Sequence, residues 1–199
     1  MTLVIRRAGP DDTKPLAKAL ARAFADDPMM SFLLPDEHQR RRRLPMLFAL
    51  QLRSLQAHLG EVYTTSELSG AALWAPPGRW RGPPLTVLRG LPRLLLALGH
   101  RLPTALRSVA AAEEVHPSEP HWYLAVLGTE PASQGRGVGS ALLAPVLQRC
   151  DADGVPAYLE SSKQSNVAFY ARHGFEVTSP LDIPGGGPRV WPMWREPRP

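Results

Sequence analysis

Three alternating glycines in Gln134-Gly135-Arg136-Gly137-Val138-Gly139-Ser140 form the stretch of this chain whose residue types and spacing point most directly to chemistry. A strand-like run, His121-Trp122-Tyr123-Leu124-Ala125-Val126-Leu127, precedes it, and a helix-like run from Val138 to Cys150 follows. Successive N–H groups in a glycine-rich loop that opens a helix can hold phosphate oxygens, helped by the positive end of the helix dipole. Glycine lets the backbone come close and take positive φ where the loop needs it. The expectation is an anionic, phosphate-bearing cofactor, to which Arg136 can add charge.

Two common phosphate loops fit poorly. No lysine followed by Ser or Thr comes after the last glycine, so the residue that reaches terminal phosphates in a Walker loop is absent. A dinucleotide fold has some support, since Glu160 ends the next strand-like run 21 residues after Gly139, where an acid can serve a ribose. The spacing is GxGxG rather than GxGxxG, however, and seven residues, Gly128 to Gln134, separate the strand from the first glycine. Cys150 lies on an apolar stripe with Val138, Leu142 and Val146 and reads as core. As the one cysteine it excludes an internal disulfide, and the six histidines lack ligand spacing, so no metal is expected.

The elements that must position this loop follow from periodicity and punctuation. Leu3–Arg6 reads as a strand, ended by Gly9-Pro10-Asp11-Asp12, with Asp11 or Asp12 capping a helix over Thr13 to Phe24. Asp26-Asp27-Pro28 breaks that helix, and a second runs from about Asp36 to Leu59, its cluster Arg40 to Arg43 reading as a solvated face. Glu61–Thr64 and Ala71–Trp74 read as a hairpin. Between Pro76 and Pro120, leucine-rich pieces broken by proline and glycine predict two or three short helices. Strand 121–127, helix 137–151, strand 156–160, helix 166–173, strand 175–178 and strand 189–194 then predict a βαβαβ core in a mixed sheet. Pro145 should bend the loop's helix.

Composition sets the frame. The chain has 199 residues, 44% apolar and 21% charged, which suits a globular fold with a substantial core. No apolar run approaches the roughly 20 residues of a membrane span, and Met1–Arg7 lacks a signal-peptide order, so a cytoplasmic protein with no membrane partner is expected. Arginine far outnumbers lysine, and the formal charge of +5 is read as a compositional bias, with no nucleic-acid partner expected.

Gln134-x-x-Gly137-x-Gly139 resembles the pyrophosphate-binding signature of the GNAT superfamily of N-acyltransferases. The resemblance extends to Leu127-Gly128-Thr129-Glu130-Pro131 before it and to Asn166-Val167-Ala168-Phe169-Tyr170-Ala171-Arg172-His173-Gly174-Phe175 after it. It continues through His121–Leu124, Pro156–Glu160 and Ala23-Phe24-Ala25-Asp26-Asp27-Pro28. Motif order and length are most similar to the puromycin N-acetyltransferase branch. The resemblance implies an α+β (α/β/α) fold with a mixed sheet of about seven strands, the fourth and fifth splayed, and helices on both faces. It implies one domain over 1–199, with 76–120 as a helical substrate-side insert and 117–196 as the acetyl-CoA-binding and catalytic core.

It further implies acetyl-CoA as cofactor, held by Gln134, Gly135, Arg136, Gly137, Val138, Gly139 and Ser140 at its pyrophosphate. Leu127, Gly128 and Thr129 would bond the pantetheine arm in the splay, with Asn166, Phe169 and Tyr170 nearby. The N–H of Leu127 would stabilise the oxyanion. Tyr170 is the expected general acid, since a phenol near pKa 10 can protonate a departing thiolate. Asn166, Tyr170 and His173 fall on one side of a helix, for which Asn166 is also a natural N-cap and Gly174 a stop. Histone-type relatives place a basic glutamate mid-strand; Tyr123 occupies that position here. His121 and Glu160 are the proton-acceptor candidates, with Glu130 and His173 behind them. Trp74, Trp80 and Trp122 are read as core first and as an aromatic pocket lining second. The implied activity is acetyl transfer to a primary amine of a small molecule, such as a puromycin-like aminonucleoside, by a monomer or homodimer. The alternatives are a protein or peptide amine acetyltransferase and a non-catalytic acyl-CoA sensor.

Overall fold

The computed structural model describes residues 3–57, 61–81 and 84–198. The predicted helix end at Leu59 and residues 82–83 of the proline-rich segment lie outside them.

Apolar residues at helical spacing put one buried stripe, Leu16, Ala17, Leu20 and Ala21, on α1 (Thr13–Ala23). Asp27 opens α2 (Pro28–Leu33) by accepting the Met30 N–H at 3.0 Å, and α3 (Glu37–Ala57) follows, running on through Pro45. Strand β1 (Ile5–Arg7) pairs antiparallel with β2 (Glu61–Thr65), which pairs with β3 (Gly70–Ala75) as the predicted hairpin. The proline-rich segment forms α4 (Pro84–Leu98) and α5 (Leu102–Val115), joined by a 3-10 turn at Gly99–Arg101.

The rest comprises β4 (Trp122–Thr129), α6 (Val138–Asp153), β5 (Ala157–Ser161), α7 (Val167–Arg172), β6 (Glu176–Val177), β7 (Leu181–Asp182) and β8 (Arg189–Arg195). The strand order is β1-β2-β3-β4-β5-β8-β6, with β7 also paired to β8, making eight strands rather than about seven. Among the described residues only β4 and β5 are parallel neighbours. Strand β8 lies between β5 and β6, antiparallel to both, so the second βα crossover of the expected βαβαβ run joins strands that do not touch.

Two cores flank the sheet. Val138, Leu142, Leu143, Val146, Leu147 and Cys150 of α6 pack on Ala72, Trp74, Trp122, Leu124 and Leu159. Leu16 and Leu20 of α1 and Leu44, Phe48 and Leu52 of α3 pack on Ala71, Leu73 and Val126. Each fully buried leucine contributes roughly 1.5–3 kcal/mol.

Two expectations are corrected. Asp12 does not cap α1: its carboxylate accepts the Gly9 N–H at 2.8 Å and grips Arg6 at 2.6 Å, turning inward to close the preceding 3-10 turn. Arg40 is not solvated. It is buried and donates to the carbonyls of Ala25 (2.8 Å), Leu34 (2.7 Å) and Pro35 (3.1 Å), tying the α1–α2 connection to α3. Its guanidinium fork matches carbonyls that no helix satisfies.

Candidate active site

The glycine loop sits at the N-terminus of α6, a helix of 16 residues. Gly135 and Gly137 have φ of +72° and +79°, a backbone that L side chains rarely adopt. The N–H groups of Gly135, Arg136 and Gly137 find no acceptor among the described residues, and the first intrahelical bond runs from Ala141 to Gly137 at 3.0 Å. Val138, Gly139 and Ser140 therefore leave their N–H groups unpaired within the helix, as first-turn residues do. Together these amides form an anion cradle that fits a pyrophosphate. Arg136 is exposed beside it. Gly139 has a further reason to be glycine: a Cβ there would lie 3.1 Å from Phe169 Cζ on α7. Ser140 Oγ pairs with His173 Nε2 at 3.0 Å, so His173 lies under the loop rather than in a proton-acceptor position.

The parallel ladder of β4 and β5 contains only Trp122–Ala157, Tyr123–Tyr158 and Leu124–Leu159. Strand β4 continues to Thr129, and the two strands part beyond Leu124. A bulge marks the parting: Trp74 pairs with Leu124 but Leu73 with Val126, leaving Ala125 as the extra residue. Its effect on facing can be read from two bonds. Trp122 donates its N–H to Pro156 on the β5 side, and Glu130 donates its N–H to Ser69 on the β3 side. In an unbroken strand both even-numbered N–H groups would point one way. The bulge reverses the alternation, so Leu127 and Thr129 turn their N–H groups away from β3 and into the splay. Gln134 reaches the same edge, donating to the Thr129 carbonyl at 3.2 Å.

Tyr170 is buried between Phe169 and Phe175, and its hydroxyl makes no hydrogen bond to a described residue. Burial, and then the charge of Asp27, push its phenol well above the usual range, so it is a protonated donor. Asp27 is itself buried and accepts the Ser162 hydroxyl, while Asp26 pairs with Lys163 at 2.7 Å. These bonds clasp the α1–α2 connection onto the end of β5. Asn166 does not cap α7: it is exposed, and its side chain makes no capping bond because a 3-10 turn at Gln164–Asn166 leads into the helix. Gly174 does end the helix, at φ +88°. Glu130 is held by Arg22 at 2.6 and 2.8 Å.

On the face opposite α6, Glu160 accepts the Tyr123 hydroxyl at 2.8 Å. The mid-strand phenol of Tyr123 thus holds the glutamate of the neighbouring strand. His116 brings Nδ1 to 3.5 Å from Glu160 Oε1 and Nε2 to 3.0 Å from His121 Nε2. His121 Nδ1 donates to the Glu119 carbonyl at 2.6 Å, and burial, chiefly, pulls its pKa down. Trp80 stacks on His116 at 3.7 Å, so of the three tryptophans considered as a lining only this one meets the cluster; Trp74 and Trp122 are core. Tyr158 completes it with a buried hydroxyl that has no hydrogen-bond partner among the described residues. The sequence reading missed His116, whose one signal was its place in the proline-bracketed run His116-Pro117-Ser118-Glu119-Pro120-His121. Among the described residues no group of acids, histidines and cysteine is arranged to hold a metal, and no helix is long and apolar enough to cross a membrane.

Comparison with known proteins shows the family and the fold. The model of the acetyltransferase (GNAT) family matches residues 98–175. An uncharacterized N-acetyltransferase of Schizosaccharomyces pombe is 30% identical over 188 residues, covering 87% of this chain and 74% of that protein. The crystal structure of a Corynebacterium glutamicum protein described as histone acetyltransferase HPA2 and related acetyltransferase is 28% identical, with TM-score 0.77, covering 100% of this chain and 98% of that one. Arylalkylamine N-acetyltransferase 2 of Aedes aegypti shares the fold at 9% identity and TM-score 0.66, with both chains fully covered.

Proposed function

We propose, from the premise that this chain belongs to the GNAT family of acetyltransferases, that it moves the acetyl group of acetyl-CoA directly to a primary amine of a small molecule, a puromycin-like aminonucleoside or another amine. The observation that carries the reading is the parting of β4 and β5 beyond Leu124 beside the unpaired amides of 135–140. When bound, acetyl-CoA supplies an activated acetyl group and a thiolate leaving group. The amides from Gly135 to Ser140 hold its pyrophosphate, with Gln134 and Arg136 at the rim and Asn166 and Phe169 alongside. The main chain of Leu127, Gly128 and Thr129 lines the arm, and the Leu127 N–H takes the charge that develops on the carbonyl oxygen. Tyr170 gives its proton to the sulfur. Glu160, held by Tyr123, takes the proton of the amine, with His121 in the same cluster.

Thiol release from acetyl-CoA with a panel of amines, puromycin included, tests this. Tyr170→Phe should lower kcat by about 10²-fold or more while acetyl-CoA affinity stays the same. Acetylated peptides without small-molecule turnover would move the acceptor to protein amines, and binding without any turnover would make the chain a sensor. Tighter binding of a nicotinamide dinucleotide than of CoA would sink the scheme.

A further inference from the structure

We propose that the proton taken from the amine leaves through Glu160 to Nδ1 of His116, and that the His116–His121 pair delivers it to a surface cavity beside Trp80. The inference rests on the reading above that Glu160 faces the acceptor amine.

The polarity of the chain is fixed from its far end. The Glu119 carbonyl can only accept, so the proton of neutral His121 sits on Nδ1 and its Nε2 offers a lone pair. His116 Nε2, 3.0 Å away, must then be the donor. In the neutral imidazole this leaves His116 Nδ1 with the lone pair, and this is the nitrogen that faces Glu160 Oε1 at 3.5 Å. The one free lone pair of the two imidazoles is thus aimed at the carboxylate, and protonating it would place an imidazolium against an anion.

The rings are held for this. His116 has a side chain only 3% exposed, with Trp80 stacked on one face and the edges of Tyr123 and Tyr158 at 5.0 and 4.8 Å. The titratable groups facing it are Glu160 and Tyr158 from β5, Tyr123 from β4, and His121. Arg81 lies over the Trp80 ring at 4.5 Å and pairs with Glu113 at 3.4 Å. A cavity of about 450 Å³, lined by Pro77, Trp80, Glu113, His116, Pro117 and His121, borders both imidazoles. Glu160 is not among its lining residues.

The protons balance. An ammonium gives one proton to the Glu160 carboxylate, which passes it to His116 Nδ1 and is regenerated. His116 then hands its Nε2 proton to His121 Nε2, and His121 loses its Nδ1 proton to cavity water as the bond to the Glu119 carbonyl opens, Glu119 and His121 both lining that cavity; exchange with water resets the two tautomers. The neutral nitrogen forms the C–N bond as the C–S bond breaks, Tyr170 protonates the departing sulfur, and the second proton of the nitrogen returns to the Tyr170 phenolate.

The test is the pH dependence of kcat/KM for the best amine of the panel in wild type, His116→Gln and Glu160→Gln. His116→Gln should lose about 10²-fold near pH 6.5, with the deficit closing toward the pKa of the amine as neutral substrate becomes available. Acetyl-CoA affinity should be unchanged. Added imidazole should restore His116→Ala at low pH, a readout independent of whether glutamine packs well. A deficit of equal size at every pH, without imidazole rescue, overturns the relay and makes His116 structural. If Glu160→Gln shows the pH-dependent deficit and His116→Gln does not, the relay fails while the role of Glu160 stands. Wild-type rates in Glu160→Gln, or no turnover of any amine, overturn both.

Discussion

Gly70→Ala probes the link between sheet packing and acyl-site geometry. Gly70 pairs with Thr129 across the β3–β4 ladder. A Cβ there would stand 2.6 Å from the Gly128 carbonyl oxygen and 3.1 Å from Thr129 Cα, where ordinary contact begins at 3.4 Å. Both atoms are backbone, so neither can swing aside. The difference, 3.4 minus 2.6, means β4 must shift by 0.8 Å, toward the splay and next to the Leu127 amide. Overpacking of this kind costs about 1–3 kcal/mol, or roughly 2–12 °C in Tm for a chain of this size. A misplacement near 1 Å at reacting groups costs up to about 10²-fold in rate. We expect kcat/KM to fall by about 10- to 100-fold at a temperature where circular dichroism shows the variant folded. Gly185→Ala is the control. Gly185 has φ +77° with nothing within 4 Å of its added Cβ, so it should lose stability through strain alone and keep full activity. Equal activity in the two variants at matched stability would refute the coupling.

Three further outcomes follow from buried groups. Arg40→Ala should cost about 3–5 kcal/mol in denaturant unfolding, because three carbonyls lose a charged donor, and Arg40→Lys should not restore it. Burial alone would raise the Glu61 carboxyl, but the hydrogen bonds of Arg149 and Tyr63 and the charges of Arg149 and Arg7 hold it below its ordinary 4.5. A depressed carboxylate stabilises the fold above its unfolded pKa and loses that contribution as pH falls through the folded value, so Tm should drop below pH 4.5 and Glu61→Gln should flatten that drop. Cys150 is fully buried, with its thiol pushed up to about 12 by burial, so it should resist alkylation until the protein unfolds.

The glycine loop and its helix were legible because three glycines and an apolar stripe are local signals. The eighth strand was not, since Leu181 and Asp182 carry no alternation of their own and exist as a strand only through β8. Arg40 looked like part of a solvated cluster because nothing local announces three unpaired carbonyls folding back on it. The bulge at Ala125 was hidden more thoroughly: burial alternates without a break from Trp122 to Thr129, although the face being buried changes midway. His116 depended on a chain reversal through Pro117 and Pro120 that brings it against a strand more than forty residues later. The direction of its free lone pair appears only when the carbonyl of Glu119 is in place.

One inserted residue makes β4 serve two cores in series. Before Ala125 the strand answers to α6 through Trp122 and Leu124; after it, Val126 and Gly128 answer to α1, where Leu20 and Phe24 crowd Gly128. The grip on the phosphate end of the site and the aim of the Leu127 and Thr129 amides are therefore set by different helices, on opposite sides of the sheet. Substitutions on α1 should retune the aim of the Leu127 and Thr129 amides while the α6 side holds its register, which gives the two ends of the proposed cofactor site separate mechanical adjustments.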